Sequence, residues 1–480
     1  LNNLAPPEVL SKRIRSVENG LLTEALARQP DAQGYSLAER MAYYRVPGVS
    51  IAVIHNYRLD WAQGYGVRAA GSSEPVDTET LFQAASISKS VTAAAVMRLV
   101  DDGVLDLDED VNSYLASWKV PPNEGWQPRI TLRQLLSHTA GTTVDGFMGY
   151  ASGEILPTLT DILDGTPPAN NDPVRIDLLP GTQMRYSGGG TTIVQQALID
   201  VTEKPFPALM RDWVLEPLGM TRSVFAQLPP EPYASNAAHG HFYNGQPVAG
   251  GWHNHPELAA AGLWTTPSDL ARFVIALQRA HAEKDSAFLP AERVSQMLTP
   301  TAEVVGEPGG FVGLGVFLGG EGASAWFGHT GGNVGYRCEL VAYVEGGCGA
   351  VVMTNGEQGW QLRGEILRAI AREYQWQDYL PERRKFTRVD PAVFAAYVGD
   401  YELKSGLRLT IITDNGTLIM QPDGQPAMLL LPWSETRYFA EVIDAEVRFV
   451  KNADGSVDDL IFTQGGRETL ARRILTISYI

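Results

Sequence analysis

Long apolar runs are missing from this chain. No stretch approaches 18 consecutive apolar residues, which excludes a membrane-spanning helix. Basic clusters are scarce too. With 38 Lys and Arg against 55 Asp and Glu, the formal charge of −17 repels phosphate backbones and anionic lipid surfaces, and no long Lys/Arg cluster reverses this locally. Nucleic acid is therefore not an expected partner. Charged residues make up only 19% of the 480 and hydrophobic residues 44%, the balance of a globular protein with large cores and room for two or three domains. Short internal repeats and low-complexity tracts are absent.

Cysteine is nearly absent. Cys338 and Cys348 fall in 336–355, which reads as a hairpin turning at Gly346-Gly347. If Glu345 faces Cys348, Cys338 faces Asn355, and the sulfurs stand about seven residues apart on the ladder. That is roughly 23 Å, beyond disulfide reach. Cysteine usage leaves the compartment open.

What is present alternates between two patterns. Val9–Ala27 and Leu37–Tyr44 have helical spacing, and Gly48–Gly66 reads as strand, turn, strand. From about 105 to 270 the pattern is mostly helical with long loops, among them the Pro- and Asn-rich 166–183. Strands return at Gly313–Phe317, Ala325–Phe327, Gly335–Tyr343 and Ala350–Thr354, and an amphipathic helix comes next at Gln361–Tyr374. This order predicts an α+β domain over residues 1–380, with a sheet built from both ends of the segment and a helical insertion between them. Pro381, the basic run Arg383-Arg384-Lys385 and Asp390-Pro391 mark a linker at 381–390. In 391–480, Leu407, Leu409 and Ile411 alternate, while Asp414-Asn415-Gly416, Asp454-Gly455 and Gly465-Gly466 punctuate, as in a small antiparallel β-barrel.

The chemistry starts at Ser86-Ile87-Ser88-Lys89. The apolar run Val91 to Val100, stopped by Gly103, makes this the opening of a buried helix of about four turns. Three residues apart, Ser86 and Lys89 share a face, and the serine sits at the positive end of the helix dipole. Ser-x-x-Lys arises by composition roughly once or twice in a chain this long, so on spacing alone an ordinary capping serine is the leading reading. Two further segments decide between them. Arg185-Tyr186-Ser187-Gly188-Gly189-Gly190 sets a tyrosine in a glycine-rich turn before a helix at Thr192–Val201. Phe327-Gly328-His329-Thr330-Gly331-Gly332 sets a histidine at a strand end with glycines behind it, where a ligand can approach the backbone.

Together these segments resemble the serine β-lactamase and penicillin-binding-protein superfamily. The nearest branch holds class C β-lactamases, family S12 peptidases (D-aminopeptidases and DD-carboxypeptidases) and related esterases. The resemblance covers about residues 35–375 and includes Ile130 to Gly141 (ITLRQLLSHTAG), Leu215 to Met220 (LEPLGM) and Ala259 to Thr266 (AAAGLWTT). It implies a β-lactamase/transpeptidase-like fold, an antiparallel sheet flanked by helices. It also implies a metal-independent serine hydrolase that uses no cofactor and takes a small-molecule or peptide substrate. By resemblance, Ser86 attacks the carbonyl and is acylated while Lys89 and Tyr186 share the proton work. A phenol is a poor base near neutral pH unless an ammonium beside it stabilises the phenolate, and Lys89 supplies that charge. The backbone N–H groups of Ser86 and Gly332 would form the oxyanion hole. His329, Thr330, Gly331 and Gly188 would border the substrate.

Two positions depart from the class C pattern. That pattern is Tyr-x-Asn, whose Asn binds the substrate amide; here the third residue is Gly188, so its space must be filled by substrate or another side chain. Lys-Thr-Gly becomes His329-Thr330-Gly331, and a histidine titrating near pH 6.5 would read an anionic substrate only when protonated. Both changes argue against efficient β-lactam hydrolysis. The resemblance then implies a peptidase or amidase favouring D-configured residues, which the sequence does not separate from an esterase, since both use the same nucleophile and oxyanion hole. A carboxylesterase with weak β-lactamase activity and a non-catalytic penicillin-binding module are the competing readings.

Other residues have plainer readings. His239, His241, His253 and His255 form two His-x-His pairs, each on one face if the segment is a strand, but no carboxylate completes a zinc set. They are expected along the loop leading to Ala259–Trp264. His138, after Leu135-Leu136, reads as a structural histidine at a helix end, and Trp252 and Trp264 as core or cleft lining. The resemblance, with Leu1 rather than Met at the start, points to the periplasm or exterior, the cytoplasm staying open. Oligomeric state is not readable.

Overall fold

The computed structural model describes residues 6–29, 33–283, 287–307, 309–381, 386–425, 427–464 and 467–474. By packing, the chain divides into two compact units, Leu1–Ile14 with Ala38–Arg363 and Arg15–Leu37 with Gly364–Ile480.

In the first unit, eight strands among the described residues form one antiparallel sheet. They are β1 (Gly48–His55), β2 (Arg58–Gly66), β3 (Ala302–Glu303), β4 (Phe311–Val312), β5 (Phe317–Gly319), β6 (Trp326–Asn333), β7 (Tyr336–Tyr343) and β8 (Gly349–Thr354). The order is β2-β1-β8-β7-β6-β5-β4-β3, so N-terminal and C-terminal segments of the unit do share a sheet. Asn56 and Tyr57, both at positive φ (53° and 61°), close the tight β1–β2 turn, as hairpin twist requires. β1 is buried over all but its last residue and apolar there except for Ser50, because strands lie on both sides and the helix Pro267–His281 packs on it.

The helices of this unit include α1 (Ile87–Asp101), α2 (Gly188–Thr202), α3 (Leu258–Ala261) and α4 (Pro267–His281). α1 is buried on every side through most of its length, the burial its Val, Ala and Met content predicts, and Gly103 at φ +70° ends the run. Short α3 packs against both α1 and α2. The 105–270 segment holds Gly188–Thr202 and several shorter helices joined by long loops, and it contributes Val224–Phe225 and Leu263–Thr265 to a small sheet with Phe82–Gln83.

Local boundaries differ from the sequence reading for identifiable reasons. The helix expected over Val9–Ala27 is two, Pro7–Glu18 and Glu24–Ala27. Gly20 interrupts it where a Cβ would come within 2.4 Å of Ser16 O, and Thr23 caps the second piece. The glycines after Tyr186 are no turn: Ser187 caps Gly190 N–H at 2.9 Å and the helix begins at Gly188. The His-Thr-Gly segment lies inside β6 instead of at a strand end, and Gly313–Phe317 is mostly the connection between β4 and β5, with only Phe317 in a strand. In the β7–β8 hairpin Cys338 pairs with Met353, two residues from the expected Asn355, because the turn holds Val344–Gly347 and closes on Tyr343 N–H to Cys348 O. Both cysteines are free.

The second unit contains a closed antiparallel barrel: β9 (Gly399–Leu403), β10 (Arg408–Asp414), β11 (Thr417–Pro422), β12 (Met428–Pro432), β13 (Arg437–Ala440), β14 (Ala445–Lys451), β15 (Val457–Gln464) and β16 (Arg467–Arg473). Leu409 and Ile411 point inward from β10, and Asn415-Gly416 makes the β10–β11 turn. Tyr397 and Phe449 stack in the interior at 4.1 Å. The Gly465-Gly466 turn and Arg383-Arg384-Lys385 lie outside the described residues. Arg15–Leu37, read from sequence as part of a 1–380 domain, groups by packing with these C-terminal residues. Ala25 N–H bonds Glu441 O at 3.1 Å, Tyr35 Oη donates to Glu441 at 3.0 Å, and Arg28 pairs with Asp444 at 3.2 Å over the Phe439 ring. No helix among the described residues is long and apolar enough to cross a membrane.

Candidate active site

Ser86 is the cap residue of α1, and the residue before it, Ala85, has φ +49°. A non-glycine residue in that region carries strain that the surrounding fold must hold. One turn into the helix, Lys89 is only 4% exposed, with Nζ 3.1 Å from Ser86 Oγ and 2.8 Å from Ala260 O on α3. Ser88 is spent elsewhere: its Oγ donates to Ala85 O at 2.5 Å and accepts Leu263 N–H at 3.0 Å. Of the two serines in the motif, Ser86 alone faces the cleft.

Tyr186 arrives from the residue before the α2 cap, with Lys89 Nζ 5.1 Å from its ring centre. His138 packs against the phenol ring, ring centres 4.5 Å apart. Its Nδ1 accepts Ser187 N–H at 3.2 Å, and its backbone has φ +55°. Burial, then the charges of Lys89 and His329, hold this imidazole well below its ordinary range, so it stays neutral with its proton on Nε2. The helix-end histidine read as structural thus supports the tyrosine directly. Spatial proximity of residues 138 and 186 leaves no periodic signal in the sequence.

β6 supplies His329, Thr330 and Gly332. His329 Nδ1 stands 2.6 Å from Thr330 O, and burial followed by the Lys89 charge lowers its pKa to about 3. The expectation of a histidine titrating near neutrality is overturned, because the ring is 4% exposed and faces a cation. Ser86, Lys89, Tyr186, His329, Thr330 and Gly332 all border one cleft of about 400 Å³. Asp145, Gly146, Phe147, Phe317, Ala260, Ala261, Asn333 and Trp360 complete its walls. None of these had been singled out as a site residue, since they come from a loop, a strand end and helix termini without a shared pattern.

Two expected site residues, Gly331 and Gly188, are not among those that border the cleft. A Cβ on Gly331 would lie 2.2 Å from Ala84 O, so this glycine permits β6 to approach the backbone before Ser86. Gly188 is buried at the start of α2, where a Cβ would meet Phe147 Cε2 at 3.0 Å and Asp145 O at 3.2 Å. Phe147 therefore occupies the space that an Asn side chain would need.

The four histidines of 239–255 do not border the cleft, and no strand carries them. His241 bonds Asn355 O at 2.7 Å and Ala70 N–H at 2.9 Å, His253 bonds Met148 O at 3.0 Å, and His255 lies 3.3 Å from buried Glu257. His239 meets the Trp252 ring edge-on, and Trp252 packs in turn on core Trp264. Among the described residues no group of three or more His, Cys, Asp or Glu could hold a metal ion.

With this geometry in view, residues 36–375 match the family model described as Beta-lactamase. The chain belongs to the β-lactamase family. It is a serine hydrolase of that family, whose chemistry needs no metal. Residues 383–472 of this β-lactamase-family protein match a second model, a domain of unknown function, DUF3471. Penicillin-binding protein 4* of Bacillus subtilis is 25% identical over 85% of this chain and 91% of its own length. Esterase EstB of Burkholderia gladioli is 30% identical over 39% of this chain and 47% of its own. Among solved structures, the octameric penicillin-binding protein homologue from Pyrococcus abyssi superposes with TM-score 0.62 at 22% identity, covering 91% of this chain and 98% of that one. The D-amino acid amidase of Ochrobactrum anthropi gives 0.59 at 21%, covering 76% and 98%. Both share the fold.

Proposed function

We propose that this protein hydrolyses amide bonds of D-amino-acid-containing peptides or amides through an acyl-enzyme on Ser86. The observation that carries this reading is the 3.1 Å contact between Lys89 Nζ and Ser86 Oγ inside a cleft that also holds Tyr186. Ser86 Oγ attacks the carbonyl carbon as its proton passes to the Lys89–Tyr186 pair. The N–H groups of Ser86 and Gly332 receive the developing oxyanion, a contribution of about 3–4 kcal/mol per donor in comparable sites. The same pair returns the proton to the leaving amine, and water releases the acyl group by the reverse sequence. Fold likeness to a D-amino acid amidase and to a D-alanine carboxypeptidase supports an amide substrate.

A second reading, a carboxylesterase, draws on His329, which offers no positive charge to a substrate carboxylate, and on the likeness to esterase EstB. Hydrolysis rates for D-alanine p-nitroanilide, p-nitrophenyl butyrate and nitrocefin separate the two. The amidase reading expects the anilide to be cleaved, with nitrocefin poor. Turnover of the butyrate alone gives the protein to the esterases, and a stable β-lactam adduct without turnover of any of them makes it a binder.

A further inference from the structure

To hold an oxyanion, the N–H of Ser86 at the start of α1 and the N–H of Gly332 on β6 must face one point, although they sit on different elements. The β-ladder frees the second donor. Asn333 closes the two-residue turn Val334-Gly335 by pairing with Tyr336, so the next pair, Gly332 with Arg337, is of the kind that exchanges no ladder hydrogen bonds. On its other side β6 is paired with β5 only over residues 326–328, which leaves the Gly332 N–H at an open strand edge on the wall of the cleft. Gly331 lies against the Ala84 carbonyl by van der Waals contact alone, with no side chain to lock the approach.

The lock is one buried side chain. Asn333 Nδ2 donates to Gln83 Oε1 at 2.7 Å and to Ala261 O at 3.2 Å. Its amide has one workable orientation, because Gln83 spends its own Nε2 on His253 O at 2.8 Å and a backbone carbonyl can only accept. Gln83 stands three residues before Ser86, and Ala261 follows Ala260, whose carbonyl takes the Lys89 ammonium at 2.8 Å. Among the described residues these two bonds are the only hydrogen bonds that join β6 to residues 83–86 or to α3. α3 in turn is tied to both long helices of the site: Gln195 on α2 accepts Ala259 N–H at 2.8 Å, and Thr92 on α1 donates to Ala259 O at 3.3 Å. The strand that carries the second oxyanion donor is thus hydrogen-bonded to the nucleophile segment and to the helix holding Lys89 through a single amide.

We propose that Asn333 is a positioning residue for the oxyanion hole: by bonding Gln83 and Ala261 it sets where the Gly332 N–H stands relative to Ser86 and Lys89. It acts through Gly332, so its loss weakens the hold on the transition state and leaves ground-state binding nearly unchanged. This rests on Ser86 as the nucleophile and Gly332 as an oxyanion donor.

The test compares the wild type with Asn333→Ala and with Gln83→Met, which removes one acceptor and keeps the bond to Ala261. Fluorophosphonate labelling of Ser86, taken to completion, counts competent sites, so that kcat is expressed per folded site. With whichever of D-alanine p-nitroanilide and p-nitrophenyl butyrate is the better substrate, Asn333→Ala should lower kcat about tenfold or more and keep KM within about twofold, since a 1 Å misplacement costs on the order of 10² in rate. The inhibition constant of phenylboronic acid, whose tetrahedral adduct on Ser86 sets an oxygen in the oxyanion hole, should rise by about the same factor. Gln83→Met should give smaller losses of the same kind, and it decides the question if Asn333→Ala does not fold. A kcat per labelled site within about twofold of wild type, a rise in KM alone, or a kcat loss with boronate affinity unchanged overturns the role of Asn333 and leaves the nucleophile standing. No labelling of Ser86 in the wild type removes the nucleophile itself.

Discussion

His329 gives its Nδ1–H to the carbonyl oxygen of Thr330, 2.6 Å away, inside a cleft whose nearest cation is Lys89. With a pKa lowered to about 3, the ring is neutral throughout the range in which such enzymes are assayed. For a carboxylate-bearing substrate, KM should therefore be flat between pH 5 and 8, with no inflection near 6.5. His329→Lys should lower that KM and leave the KM of a neutral ester little changed. An inflection near 6.5 in the wild type would show the ring to be solvated and titrating.

The same depression has a stability consequence. Between the unfolded value near 6.5 and the folded value near 3, the unfolded chain binds a proton at His329 that the native state refuses. Stability from this group is complete above pH 6.5 and is lost as pH falls through that window, by up to about 1.4 kcal/mol per pH unit per proton. His138, also held well below its ordinary range, adds a slope of the same sign. Urea titrations at pH 7, 6 and 5 should show it, and His329→Gln should make the dependence shallower.

A fluorophosphonate should add once, on Ser86, because Ser88 is committed to Ala85 O and Leu263 N–H. Peptide mapping locates the adduct, and Ser86→Ala should abolish it. Lys89→Ala and Tyr186→Phe should each reduce kcat at least about 10²-fold, the usual scale for a lost positioned proton transfer. Near-wild-type turnover in either variant would assign the proton work to another group.

Restoring the asparagine of the class C pattern should fail by itself. At Gly188 a new Cβ meets Phe147 at 3.0 Å, so Gly188→Asn should cost about 1–3 kcal/mol through overpacking and leave nitrocefin hydrolysis no better. Adding Phe147→Ala should recover part of the loss. Thermal melts of the single and double variants check this, and a single variant as stable as wild type would mean that the loop yields freely.

What the sequence disclosed and what it withheld have different physical origins. Ser86 and Lys89 were readable because a helix repeats every 3.6 residues, and Leu409 with Ile411 because a strand repeats every two. The tight β1–β2 turn and the Gly103 stop reflect local backbone preference. Asp145 and Phe147 belong to an irregular loop with no period, so only folding shows that they border the cleft. The contact of His138 with Tyr186 likewise joins residues far apart in the chain. The His329 ionisation was misread because burial and a neighbouring charge, not residue type, set it.

Arg28 and Asp444, partners in the second unit, are 416 residues apart. At translation rates of 5–20 residues per second, the segment carrying Arg28 leaves the ribosome roughly 20–80 s before its partner exists. Throughout that interval Leu21, Leu22 and Ala25, buried in the folded protein, lack the larger, C-terminal part of their unit. A nascent chain halted anywhere between Arg363 and the barrel thus leaves the apolar residues of Arg15–Leu37 uncovered, and synthesis of the barrel is itself the event that conceals them.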